Sequence, residues 1–150
     1  MTSLPTERDV AAIAALNNLF APEGKTLHRT PLFVEEHLAD YRVLRGEDGR
    51  LAGCVAIDEY SPSVAELVGL AVQPAARGRG YGVLLIEAIA DLARRRGYDY
   101  LFAVSFSEKI FEACGFAKVQ LDEFPEKILR YTRIDRTEIE VGEKHCFVRD

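Results

Sequence analysis

The chain has 150 residues, 48% of them hydrophobic and 29% charged, with a formal net charge of -5. That balance suits one globular domain, residues 1–150, with a core large enough to need no disulfide or metal staple. The acidic balance argues against broad nucleic-acid binding, the lack of any apolar run of about 18 residues argues against a membrane span, and the first residues lack a signal-peptide layout, so the cytoplasm is the expected compartment.

In chain order, Thr6 is placed to cap a helix whose first turn carries Glu7 and Asp9 at its positive end. Val10, Ile13, Ala14 and Leu16 give that helix a buried stripe, and residues 17–25 read as its end and a loop. Thr30-Pro31 starts a second, short helix, with Thr as cap and Pro at the first helical position. Residues 41–44 and 51–57 read as strands joined through Gly46-Glu47-Asp48-Gly49, because Asp-Gly favours a hairpin turn. Residues 60–63 read as a loop, 66–72 as a strand stopped by Pro74. Residues 81–96 carry apolar side chains at helical spacing (Leu85, Ile86, Ile89, Leu92); Arg94–Arg96 suit the negative helix end, and Gly97 ends it. Residues 100–106 read as a buried strand. Ser107 caps a short helix that Gly115 breaks, and 116–121 read as a strand. A helical turn over 124–130 and strands over 132–141 and 144–148 complete the order. The pattern predicts an α/β fold: a mixed, mostly antiparallel central sheet with helices on both faces.

The strand-to-helix corner is the most informative stretch. Ala71 to Leu85 reads AVQPAARGRGYGVLL. The first amides of a helix lack intrahelical partners, and the helix dipole makes that end positive. Glycine tolerates φ > 0 and lets main chain approach a ligand closely. Gly78, Gly80 and Gly82, with Arg77 and Arg79 between and beside them, therefore predict a phosphate or pyrophosphate site. No Walker loop and no GxGxxG dinucleotide fingerprint fits the spacing. His28, His37 and His145 lack metal-ligand spacing, and Cys54, Cys114 and Cys146 lack the pattern of a zinc site or disulfide framework, so no metal is expected.

Arg77-Gly78-Arg79-Gly80-Tyr81-Gly82, placed after an apolar strand, resembles the R/Q-x-x-G-x-G/A acetyl-CoA motif of the GNAT N-acetyltransferase family. The likeness continues through the following helix and the strand 101–105. It reaches Ile110-Phe111-Glu112-Ala113-Cys114-Gly115-Phe116, which is similar to the family's FYExxGF element. The resemblance implies that amides of Gly78, Arg79, Gly80, Tyr81 and Gly82, with Arg77, hold the coenzyme A pyrophosphate. It also implies that main chain near Leu70 and Val72 holds the pantetheine arm, and that Phe111 borders the cofactor. Acyl transfer to an amine needs a base, a polarised carbonyl and a tolerated thiolate. Glu66 is the candidate base, with Asp58 and Glu59 behind it. Many members place a tyrosine acid where this chain has Phe111, so Ser105 and Tyr81 are the candidate donors.

A narrower resemblance links Leu27-His28-Arg29-Thr30, Tyr41-Arg42-Val43 and Arg136-Thr137-Glu138-Ile139 to the acetyltransferase domains of arginine-pathway N-acetylglutamate synthases. The likeness near the end also takes in Phe124-Pro125 and Tyr131, and there Thr132 and Glu138 depart from the subgroup's Asn and Lys. The likeness implies that Arg29, Arg136 and Thr137 bind an acceptor carboxylate, a task for which the guanidinium fork is suited. The expected function is thus acetyl-CoA-dependent N-acetylation of a small amine, with a glutamate-like amino acid leading. A non-catalytic acyl-CoA-binding module, a different amine, or a protein N-terminus or lysine are the alternatives. A homodimer is left open.

Overall fold

A computed structural model describes residues 1–105, 108–119 and 145–149. A two-residue strand, β1 (Thr2–Ser3), precedes a 3-10 turn at Glu7–Asp9 that runs into helix α1 (Val10–Leu19). Thr6 is the N-cap, and it forms a reciprocal capping box with Asp9: its side chain faces the Asp9 main-chain N–H, while its own main-chain N–H donates to Asp9 Oδ2 at 2.8 Å. Helix α2 (Pro31–Glu36) starts as expected, with Thr30 Oγ1 accepting from the Phe33 N–H at 3.1 Å.

Strand β2 (Tyr41–Arg45) turns through Gly46–Arg50, with Gly49 at φ +79, into β3 (Leu51–Ser61), and β4 (Val64–Val72) follows. The loop expected over residues 60–63 is shorter than that: Tyr60 and Ser61 belong to β3, and only Pro62 and Ser63 separate it from β4. Helix α3 (Tyr81–Arg95), strand β5 (Tyr100–Ser105), helix α4 (Glu108–Ala113) and strands β6 (Ala117–Val119) and β7 (His145–Arg149) come next. The cap expected at Ser107, the helical turn over 124–130 and the strand over 132–141 lie outside the described residues.

Among the described residues seven strands form one sheet in the order β1-β2-β3-β4-β5-β7-β6. Every pairing is antiparallel except β4 with β5. Helices cover both faces. Leu85, Ile86, Ile89 and Leu92 of α3 pack with Val55, Ile57 and Leu67 on one side. Ile13, Leu16, Phe20 and Val34 pack with Tyr41, Val43, Cys54 and Ala56 on the other. Each such aliphatic side chain contributes roughly 1.5–3 kcal/mol on burial. No helix among the described residues is long and apolar enough to cross a membrane.

One ion pair ties the chain start to the sheet. Arg45 reaches both Asp9 oxygens, at 2.8 and 2.7 Å. Burial alone pushes the Asp9 carboxyl up, but Arg45 and the Thr6 amide outweigh it and hold it below its ordinary value. A depressed folded value stabilises the fold above the unfolded carboxylate range and is lost as pH falls through the folded one. Asp9→Asn is therefore expected to destabilise by about 1–2 kcal/mol at neutral pH. The gap from wild type should narrow below about pH 4. Urea melts at pH 7 and at successively lower pH check this, and a gap that stays constant on acidification would refute it.

Candidate functional site

Three features follow the course of β4 from Glu66 to the start of α3. The first is the fork between β4 and β5. Their parallel register runs from Val64↔Tyr100 to Leu67↔Ala103 and stops. Beyond it, β5 stays paired with β7 through Ser105↔His145, while β4 continues to Val72 against β3. The β3–β4 register shows why they part. Cys54 faces Ala71 and Ala56 faces Val68, so Gly69 and Leu70 stand against Val55 alone. This two-against-one bulge bends β4 and increases its twist. Gly69 takes φ +62, which glycine adopts without a Cβ penalty. The bulge also swaps faces: Leu67, Leu70 and Val72 all pack towards α3, while Val68 and Ala71 pack towards α1. The half of β4 past the fork thus presents main-chain donors and acceptors to a gap, with Leu70 and Val72 beside it.

The second feature is the corner after Val72. Pro74–Ala76 forms a single 3-10 turn, and Gly78 and Gly80 take φ +80 and +77. The first main-chain hydrogen bond of the helix runs from the Leu84 N–H to the Gly80 carbonyl. Main-chain N–H groups of residues 78–83 have no acceptor among the described residues. A Cβ added at Gly78 or Gly80 would meet nothing within 4 Å, so both face open space. These features fit a pyrophosphate: clustered amides, a positive helix end and room. Gly82 has a different reason. It is helical, and a Cβ there would lie 2.6 Å from Ile110 Cδ1, so it lets α4 approach α3. Arg79 is exposed, and Arg77 lies 5.6 Å from the Phe20 ring; neither has a carboxylate partner among the described residues. Tyr81 is half-buried against the α3-side core.

The third feature lies on the α1–α2 face. Glu66 sits one residue before the fork, between Asp58 on β3 and Phe102 on β5. It is 3% exposed. Tyr60 Oη donates to its Oε1 at 2.6 Å. Farther along this face, burial pushes the Tyr41 phenol up to about 12; Arg29 opposes that rise, which puts its guanidinium within electrostatic reach of β2. Arg29 stacks over Phe33 at 4.2 Å and has no ion-pair partner among the described residues.

Strand alternation places Ser105 with Leu101 and Ala103, on the face opposite Glu66 and Phe102. Ser105 lies two residues past the last β4–β5 pair and so borders the gap from the β5 side. Phe111 is 1% exposed and packs edge-on against Phe116 at 5.3 Å within the α3-side core. Arg136 and Thr137 lie outside the described residues.

Residues 11–116 match the model of the acetyltransferase (GNAT) family. The chain belongs to that family. This GNAT chain is 37% identical over 120 residues to an amino-acid acetyltransferase of Neisseria meningitidis serogroup B, covering 79% of this chain and 27% of the relative. It is 31% identical over 122 residues to an uncharacterised N-acetyltransferase of Chlorobaculum tepidum, covering 81% and 78%. It therefore spans about a quarter of the length of the Neisseria relative. Among solved structures, N-acetylglutamate synthase of Neisseria gonorrhoeae, complexed with coenzyme A and N-acetyl-glutamate, superposes with a TM-score of 0.83 at 30% identity, covering 99% of this chain and 34% of that one. A Mycobacterium tuberculosis protein complexed with CoA has a TM-score of 0.84 at 20% identity, covering 99% and 97%, a likeness of fold.

Sequence reading of the GNAT chain missed the side chains that hold Arg29. Asn18 Oδ1 accepts from the Arg29 N–H at 2.8 Å, and Asn18 Nδ2 donates to the Arg29 carbonyl at 2.7 Å. Beside it, Asn17 Nδ2 donates to the Leu27 carbonyl at 2.6 Å and Thr26 Oγ1 to the Asn17 carbonyl at 2.5 Å. An Asn pair at the end of an apolar helical stripe was the available signal, since Asn side chains bond main chain readily. Asn18→Ala is expected to speed hydrogen exchange at the Arg29 amide roughly 3- to 10-fold, the equivalent of one net hydrogen bond. Unchanged exchange at that amide would show that the clamp contributes nothing.

Proposed function

We propose that this chain is an acetyl-CoA-dependent N-acetyltransferase that acylates the α-amino group of a small amino acid, glutamate being the leading acceptor. The observation that carries the reading is the edge of β4 past Leu67, which has no strand partner on the β5 side among the described residues and leads from the buried Glu66 to the open amide nest of α3. Family membership supports the reaction class. The glutamate-derived ligand of the gonococcal synthase supports the acceptor.

Acetyl-CoA supplies an acyl group activated as a thioester. The chain's own groups would do the rest. Amides of residues 78–83, with Arg77 and Arg79, would hold the pyrophosphate. The β4 edge at Leu70 and Val72 would pair with the amides of the pantetheine arm, as a strand pairs with its neighbour. Arg29 would grip the acceptor's carboxylate, joined by Arg136 and Thr137 as the family resemblance implies. Glu66 would take the ammonium proton, directly or through one water, so that the amine attacks the carbonyl carbon. A C–N bond forms as the C–S bond breaks, the nitrogen loses its second proton to solvent, and the thiolate departs; a thiol is acidic enough (about 8.5) for the step to proceed before Ser105 or solvent returns a proton to the sulfur.

The deciding experiment is free-thiol release from acetyl-CoA across an amino-acid panel. Release with glutamate above all others is expected. Tight CoA binding with no acceptor-dependent thiol would instead favour a binding module. Gly80→Glu places a side chain and a negative charge in the nest at a positive-φ position. It should weaken CoA binding by on the order of 100-fold, about 2.7 kcal/mol. Its cost to folding should be about 1–2 kcal/mol, with the fold kept. Calorimetry with CoA checks this, and unchanged affinity would rule out the nest as the pyrophosphate site.

A further inference from the structure

Burying a carboxylate is costly unless its oxygens are hydrogen-bonded or paired. Glu66 is 3% exposed and sits between two strands, on the face it shares with the fully buried Phe102. The Tyr60 hydroxyl meets it at 2.6 Å, the length of a charge-assisted O–H···O⁻ bond. The path by which Tyr60 gets there is unusual. Tyr60 is on β3, yet its ring stacks on Phe102 of β5, with centroids 5.3 Å apart and planes at 27°. Strand β4 lies between those two. The side chain therefore crosses over β4, passing the residue it bonds. A second irregularity makes this reach possible. The β3–β4 register shifts between Glu59↔Ala65 and Ser61↔Val64, leaving Tyr60 as the extra residue of a bulge. Bulges bend a strand and re-aim a side chain. Pro62 follows at once and turns the chain into β4.

We propose that Tyr60 is a positioning residue for Glu66, holding its carboxylate through Oε1 in the one orientation that meets the acceptor's ammonium. The inference rests on the reading of Glu66 as the base. A glutamate has three rotatable side-chain bonds, and a base is effective only within about 2.6–3.2 Å of the proton it takes. Displacement of about 1 Å can cost 100-fold in rate. The hydroxyl has a single proton, and it is committed to Glu66. Tyr60 is thereby assigned to orientation and not to protonating a leaving thiolate. The ring stack on Phe102 fixes the phenol from below, so the hydroxyl position is set by packing across three strands.

The test is steady-state kinetics with glutamate and saturating acetyl-CoA for wild type, Tyr60→Phe, Glu66→Gln and the double variant, together with thermal melts. Phenylalanine keeps the ring on Phe102 but removes one donor from a buried carboxylate, so Tm should fall by no more than about 5 °C, equivalent to roughly 2 kcal/mol. Tyr60→Phe should lower kcat about 10-fold or more while the KM for acetyl-CoA stays within about twofold. Adding Tyr60→Phe to Glu66→Gln should cost nothing further in kcat, because the role proposed for the hydroxyl runs through the carboxylate. Losses that multiply in the double variant overturn the proposal and leave the base reading intact. So does a Tyr60→Phe variant with wild-type kcat beside an impaired Glu66→Gln. A Tyr60→Phe variant that melts more than about 5 °C lower, or fails to fold, makes the hydroxyl structural and overturns it too. Wild-type turnover in Glu66→Gln, or no glutamate-dependent turnover in the wild type, removes the base reading and this inference with it.

Discussion

The parting of β4 from β5 is the constraint on which the site depends. Main-chain N–H and C=O groups seek partners, and one left unmet in a buried position costs about 1–3 kcal/mol. The parallel pair meets that demand only as far as Leu67↔Ala103. Past it β4 keeps its bonds to β3, while β5 keeps its bonds to β7. What faces the gap is a strand edge with no strand partner among the described residues, complementary to an extended ligand that carries amides at suitable spacing. The same bulge that opens the gap keeps the core continuous, because the face swap returns Leu70 and Val72 to the α3 side where Leu67 already packs. Opening and packing are thus reconciled by one extra residue.

That bulge also joins the two halves of the site. An added Cβ at Gly69 would lie 3.1 Å from Asn17 Oδ1, and Cys54 Sγ approaches the Gly69 carbonyl at 3.8 Å. The end of α1 therefore seats the bulge. The same turn of α1 laces residues 26–29 through Asn17, Asn18 and Thr26. The wall bearing Arg29 and the strand edge proposed to carry the cofactor's arm rest on a common support. Changes in the 26–29 loop are expected to be felt at the gap for that reason, with no need for a moving part.

Features set by neighbours along the chain were legible in the amino-acid sequence alone. Thr30-Pro31, the Asp48-Gly49 turn, Pro74 with the glycines after it, and the period of residues 81–96 each act within a few residues. The bulges were not legible, because they arise from a count against another strand: Gly69 and Leu70 against Val55, and Tyr60 against the gap between Glu59 and Ser61. Pro62 drew Tyr60 into the expected loop, and with it went the partner of Glu66. Glu66 itself was marked by its place at the start of the strand expected to hold the acyl group, where the family resemblance puts a glutamate, whereas its burial and its hydroxyl partner come from tertiary packing. The three glycines of the corner looked alike in sequence and divide in structure. Gly78 and Gly80 serve the turn, and Gly82 serves the contact with Ile110. Arg136 and Thr137, two of the three residues expected to bind the acceptor, lie outside the described residues.

The arginines show where positive charge is available in a chain with a net charge of -5. Both ends of α3 carry arginines. At its C-terminal end Arg94 and Arg95 pair with Asp91, and Arg96 pairs with Asp40 at 2.6 Å. At its N-terminal corner Arg77 and Arg79 have no such partner among the described residues, and Arg77 rests against Phe20. Exposed ion pairs are worth only about 0–1 kcal/mol, so leaving two arginines unpaired costs the fold little. It leaves their field, added to the roughly half a unit of positive charge at the helix start, directed at one place. A fold that neutralises its cations at one end of a helix and spares them at the other is polarised towards an anion, and the open nest at Gly78 and Gly80 is where that anion would be received.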